Sequence, residues 1–103
     1  MHVKSLSAHA VRALISARKK LVGQRVTLEN QIRGLAVVFG IRLPRALSPA
    51  FIDQALRASQ GISGLSAAMQ GLVAARAAVL AAVAATDADI KRMVRERPVR
   101  AAA

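Results

Sequence analysis

The sequence predicts an all-α protein whose two long helices fold back as an antiparallel, coiled-coil-like hairpin, with a short helix between them. Three observations predict this fold. Leucine recurs every seven residues at Leu14, Leu21, Leu28 and Leu35, which places these side chains on one face of a helix. The last third of the chain is rich in alanine, with larger apolar residues near heptad spacing. Two prolines separate these stretches, and no convincing strand pattern occurs.

The first long helix has an apolar face along most of its length. The residues of that face are Ala10, Leu14, Ala17, Leu21, Leu28, Ile32, Leu35 and Phe39. Ser5 or Ser7 is expected to cap its start, because a serine hydroxyl accepts hydrogen bonds from the free amides of a first turn. Gly40 stands where helices commonly stop. The helix therefore ends near Phe39.

Prolines and glycines set the remaining elements. A continuous helix cannot pass the loop that holds Pro44. Ser48 and Pro49 are a typical cap and first-turn pair for a short helix, and Pro98 is expected to end the second long helix. The predicted bounds within one helical module, residues 1–103, are 5–39, 49–59 and 63–97 for the helices, 40–48 for the loop and 98–103 for a frayed tail.

Positive charge is concentrated in the first part of the chain. Sixteen basic residues stand against five acidic ones, for a net charge of +11. Arginine outnumbers lysine twelve to four, and its planar fork matches two phosphate oxygens at once. Glu29 is the only nearby counter-charge. We therefore expect the chain to bind DNA or RNA through phosphate contacts from Arg12, Arg18, Lys19, Lys20, Arg25 and Arg33.

A second apolar set on the first helix lies about 120° from the leucines. It consists of Val11, Ile15, Val22 and Val26, and it has no obvious partner inside a hairpin. These four residues are expected to form the interface of a homodimer, or a surface that a missing domain would cover.

A membrane partner is not expected. The second apolar set is interleaved with arginines, which would suit an anionic membrane surface. It lacks tryptophan and phenylalanine, however, so nucleic acid is the preferred partner. Leu65 to Ala85 is apolar enough to raise the question of a transmembrane helix. Arg76 stands at its centre, however, and a charge at mid-span is costly in lipid. The segment is interpreted as a soluble helix in a cytoplasmic protein, and the absence of cysteine fits a reducing compartment.

No catalytic, metal-binding or cofactor-binding pattern is found, so no enzymatic activity and no cofactor are expected. Asp87 and Asp89 are two residues apart on a helix and point to different faces. His2 and His9 share a spacing of seven but lack further ligands nearby. The serines have no histidine or lysine at a suggestive spacing, and no glycine-rich loop follows a strand.

The run RALISARKKLVGQRVTLENQIRGLAVVFGIRLPRAL resembles the middle region of the RuvC-like DEDD transposases of one bacterial insertion-sequence family, recombinases associated with a bridge RNA. The order of the whole run carries the likeness, which is strongest in ALISARKKLV and in LENQIRGL followed by VFGIRL. It continues more weakly through LVAARAAVLAAVAATDADI and KRMVRERPV, and covers roughly Val3 to Val99.

The resemblance implies a helical, coiled-coil insert between two catalytic parts. In that family an upstream domain supplies metal-binding carboxylates and a downstream domain supplies a nucleophilic serine, and neither motif has a counterpart here. The expected function is therefore that of a non-catalytic transposase fragment, active in dimerisation and nucleic-acid contact during DNA transposition. Its partners would be nucleic acid, a second copy or the missing transposase domains. A truncated or remnant reading frame is the simplest account.

Two alternatives remain open at the level of sequence. The chain could be a free-standing, small basic nucleic-acid-binding protein. It could also be a purely structural helical hairpin whose charge only keeps it in solution. Coding sequence for the missing domains in the neighbouring DNA would favour the fragment.

Overall fold

A computed structural model describes residues 3–96 of the chain, and the side chains of residues 8–95. This part is all-α, as predicted, and contains three helices. Their bounds are α1 Val3–Val38, α2 Pro49–Ala58 and α3 Ser63–Glu96, each within two residues of the prediction. Because α1 begins at Val3, Ser5 and Ser7 lie inside the helix, and the predicted serine cap is wrong. The predicted tail, residues 98–103, and His2 lie outside the described residues.

Two ion pairs fix the register of the long helices. Arg18 of α1 pairs with Asp87 of α3, and Glu29 of α1 pairs with Arg76 of α3. A step of 11 residues forward along α1 (29 − 18) therefore matches a step of 11 backward along α3 (87 − 76), which is the pattern of an antiparallel pair. Eleven residues make about three helical turns, so residues eleven apart lie on the same face of a helix. Both ion pairs therefore lie on the faces that the two helices turn toward each other. The hairpin measures 63 × 23 × 15 Å.

Helix α1 ends where the sequence predicts, in a glycine-based stop. Gly40 has a φ of +77°, a conformation that glycine adopts without a Cβ penalty. Its amide donates to the carbonyl of Val37 at 2.9 Å, and the amide of Ile41 donates to the carbonyl of Ala36 at 3.0 Å. These two bonds form a Schellman motif. Ala36 belongs to the buried apolar core and Ile41 packs against that core, so the stop is packed as well as hydrogen-bonded.

The short helix α2 begins with the predicted serine and proline. Ser48 is extended at the N-cap, and its hydroxyl accepts a hydrogen bond from the amide of Phe51 at 3.4 Å. Pro49 fills the first helical position, where a missing N–H costs nothing. The helix buries Ile52 and Ala55 against the hairpin.

The apolar core lies at the loop end of the hairpin. Its buried members are Ile32, Ala36, Leu43, Leu47, Ile52, Ala55 and Met69. Between residues 8 and 28, by contrast, no side chain of α1 is fully buried. Leu14, Leu21, Leu28 and Leu35 are half-buried, and Ala17, predicted for the apolar face, is exposed. Away from the loop, the molecule thus consists of two packed helices that bury few side chains between them.

Helix α3 is apolar along most of its length. Between Ser63 and Arg95 it is long and apolar enough to cross a membrane by length and composition alone, with a mean hydropathy of 1.7 over an 18-residue window of which 6% is buried. A single helix of this kind is weak grounds for a membrane span. Arg76 lies inside it and is bonded to Glu29 of α1.

Candidate nucleic-acid interface

The outer face of α1, turned away from α3, carries exposed cations. Arg12, Lys19 and Lys20 are all exposed. At 100° per residue they fall within an arc of about 100°, on the side of α1 opposite its contact with α3, which is called the seam. Alongside them runs a shallow groove of about 880 Å³. It is lined by Ala13, Ser16, Ala17, Lys19, Lys20, Gly23, Gln24 and Thr27. Most of the lining side chains are small, so the backbone of α1 is accessible beside the two lysines.

Two of the predicted phosphate-binding arginines face the seam instead. Arg18 pairs with Asp87 across the hairpin, with both side chains still about two-fifths exposed. Arg25 donates through Nη1 to Oε1 of Glu29 at 3.3 Å, one turn along α1. Their charge is therefore already partly balanced by carboxylates, which weakens their attraction for a phosphate.

Glu29 is the centre of a buried polar cluster. Its side chain is only 7% exposed and accepts a hydrogen bond from Nε of Arg76 at 2.8 Å, in addition to the bond from Arg25. Arg76 also donates from Nη2 to the carbonyl of Leu47 at 3.1 Å. In the sequence, Arg76 stands out only as a charge at the centre of an apolar segment. The structure instead places it where it links α1, α3 and the loop.

Arg33 holds the loop from the other side. Its Nη1 donates to the carbonyl of Arg45 at 2.9 Å and to that of Pro44 at 3.4 Å, while Nη2 donates to Oδ1 of Asn30. These bonds occupy much of the guanidinium. Arg33 therefore has a structural role that its place among the predicted phosphate ligands did not anticipate.

Most carboxylates of the described part pair with an arginine, either across the hairpin or on the same helix. Glu29 pairs with Arg25 and Arg76, Asp87 with Arg18, and Asp89 with Arg92. Asp53 is the one described acidic side chain, within residues 8–95, that makes no ion pair. The cations left without a carboxylate partner in that range are Arg12, Lys19, Lys20, Arg33, Arg42, Arg45, Arg57, Lys91 and Arg95. Arginines thus balance three of the four described acids and leave nine cations, eight of them exposed, without a carboxylate partner within residues 8–95.

The predicted dimer residues do not lie at one depth. Val11 and Val22 are half-buried at the edge of the seam, while Ile15 and Val26 are 52% and 43% exposed. The fully buried Ala36 lies between the leucine and valine sets around the helix, and the fully buried Ile32 lies within the leucine set, so the contact with α3 extends from the leucines toward the valines. The hairpin itself therefore covers half of the second apolar set.

Within the described residues, no group of three or more histidines and carboxylates lies close enough to hold a metal ion. Asp87 and Asp89 are each bound to an arginine, Arg18 and Arg92 respectively. His9 is exposed on α1. The geometry of these side chains is that of solvated surface groups.

Comparison with known proteins finds no matching family model, no matching curated protein and no matching solved structure.

Proposed function

We propose that this chain is a non-catalytic helical module that binds nucleic acid through the outer face of α1. The observation that carries the proposal is the separation of charge. Arginines at the contact between the long helices take up Glu29 and Asp87, while Arg12, Lys19 and Lys20 stay exposed beside a groove with small side chains. Lysine and arginine at such a surface attract a phosphate backbone and release its counterions on binding.

The contact would be largely independent of base sequence. Phosphate contacts position a nucleic acid without reading it. Gln24 lines the groove, but a single amide in a surface otherwise made of small side chains and cations makes a weak reader of bases. The expected role is therefore to hold a strand or duplex in place. The resemblance in residues 12–47 supports the further proposal that this module works as part of a transposase during DNA transposition.

Salt-dependent binding tests the proposal. Affinity for a labelled duplex should fall steeply with salt, with a slope of about −0.9 for each phosphate contacted. Changing Arg12, Lys19 and Lys20 to glutamine should weaken binding to every sequence alike and shrink that slope by up to about 2.7.

A matched control removes equal charge elsewhere. Arg57→Gln, Lys91→Gln and Arg95→Gln take three exposed cations from α2 and the end of α3, and should change the slope far less. If both triple variants lower affinity equally, only net charge matters and the α1 face is not the site. If the unmodified chain ignores DNA and RNA at low salt, the purely structural hairpin is the correct account.

A further inference from the structure

A second shallow depression of about 600 Å³, the loop-end cavity, lies at the loop end of the hairpin. It is lined by Arg33, Val37, Arg42, Leu43, Pro44 and Phe51. The lining combines an aromatic ring and aliphatic side chains with two arginines, and contains no carboxylate. Its chemistry suits a flat ring that stacks through its face and is joined to a negatively charged group.

The cavity is held open by contacts already described. Arg33 fixes the backbone of the loop at Pro44 and Arg45, and Leu43 is buried in the core. Phe51 packs against that core while remaining half-buried, so part of its ring is left to the cavity. Val37 is 60% exposed. The apolar lining is therefore only partly covered by the chain itself.

Arg42 supplies a free cation at this cavity. It is exposed and makes no ion pair with any acid in residues 8–95. Asp53, the unpaired acid of the described part, is two residues from Phe51, about 200° around α2, and does not line the cavity. An anionic group on a ligand would therefore meet Arg42 without a competing carboxylate in the lining.

From this arrangement we propose that the loop-end cavity binds an unpaired nucleobase, with the base against Phe51 and its phosphate on Arg42. The inference rests on the proposed function and narrows it to single-stranded nucleic acid. Bases inside a duplex are stacked on each other and cannot reach such a cavity, whereas aromatic side chains stack on the bases of single strands. Lys19 and Arg33 are 14 residues apart, roughly 21 Å along α1 and about 40° around it, so one strand can contact both sites.

The test compares two single strands of equal length and charge, each of about twelve nucleotides, one with bases and one abasic throughout. The base-bearing strand should bind at least about five-fold more tightly. Phe51→Leu should remove that difference while leaving the salt slope unchanged, because phosphate contacts remain. Arg57→Gln, a change of charge outside the cavity, should preserve the difference.

A second variant keeps the test decisive if Phe51→Leu unfolds the loop end. The chain contains no tryptophan or tyrosine, so Phe51→Trp provides a unique fluorescent reporter in the cavity. The base-bearing strand should quench it and the abasic strand should not. Equal binding of both strands without quenching overturns the base-binding site and leaves phosphate binding on α1 intact. Failure of both single strands to bind at low salt overturns the base-binding site, and failure of the labelled duplex as well overturns both proposals.

Discussion

At the scale of single residues, Glu29 matters most to the fold. It is the one carboxylate buried in the described part, and two arginines approach it from different helices. A buried charge is tolerated when its partners satisfy it, and removal of one partner leaves the others uncompensated. Because Arg76 also reaches the carbonyl of Leu47, the loss of Glu29 would disturb the loop and the hairpin together.

Glu29→Gln should therefore destabilise the protein by roughly 3 kcal/mol, the low end for a broken buried pair, since Arg76 keeps 15% exposure of its side chain. Urea unfolding followed by circular dichroism measures the effect. Asp87→Asn is the matched control, because it breaks an exposed pair with Arg18 that contributes at most about 1 kcal/mol. Equal losses of unfolding free energy in the two variants would show that the burial of Glu29 adds nothing to stability.

At the scale of elements, two glycines of the α1 region have opposite consequences for stability. Gly34 lies inside the helix and Gly40 lies in its stop with a φ of +77°, and a Cβ at either position would meet nothing within 4 Å. Backbone conformation alone therefore distinguishes the two sites. Alanine is favoured over glycine within a helix and disfavoured where φ is positive.

Gly34→Ala should stabilise the protein by up to about 1 kcal/mol, and Gly40→Ala should destabilise it by about the same amount. The two changes add the same methyl group, so each controls for the other. The midpoints of thermal unfolding should move in opposite directions. A shift in the same direction for both would mean that the Schellman motif at Gly40 does not govern the end of α1.

Local patterns predicted the helices well because their signals are local. Gly40 and the Ser48–Pro49 pair act within one turn, and both ended or began a helix as expected. The pairing of Glu29 with Arg76 spans 47 residues and depends on the hairpin register, which no local pattern specifies. For the same reason, three of the six cations chosen from charge alone, Arg18, Arg25 and Arg33, prove to be engaged in intramolecular bonds.

At the scale of the whole molecule, shape and charge follow from the position of the core. The radius of gyration is 19.0 Å, against about 13 Å for a globular domain of this length. The apolar core occupies one end, and the rest is a pair of helices with a thin contact. Such a molecule exposes apolar side chains along its length, among them Ile15 and Val26, and a second copy would cover them.

Self-association through this face should depend on salt in the sense opposite to nucleic-acid binding. Lys19 shares the face with Ile15 and Val26 by helical spacing, so two copies bring like charges together. Salt screens that repulsion, with a Debye length of about 10 Å at 0.1 M. The dimer fraction should therefore rise with salt, as measured by sedimentation at several protein concentrations.

Replacing Ile15 and Val26 with glutamine should raise the dimer dissociation constant roughly 100-fold. Four side chains per dimer would each lose about 0.7 kcal/mol, half the burial of a full apolar side chain, because they are already partly covered by the hairpin. Val38→Gln with Val94→Gln removes two other exposed valines and is the control, with an unchanged constant. Helix content should stay the same in both variants, since neither pair lies in the core. A chain that remains monomeric at high protein and salt concentration would assign the face to a different partner or to none.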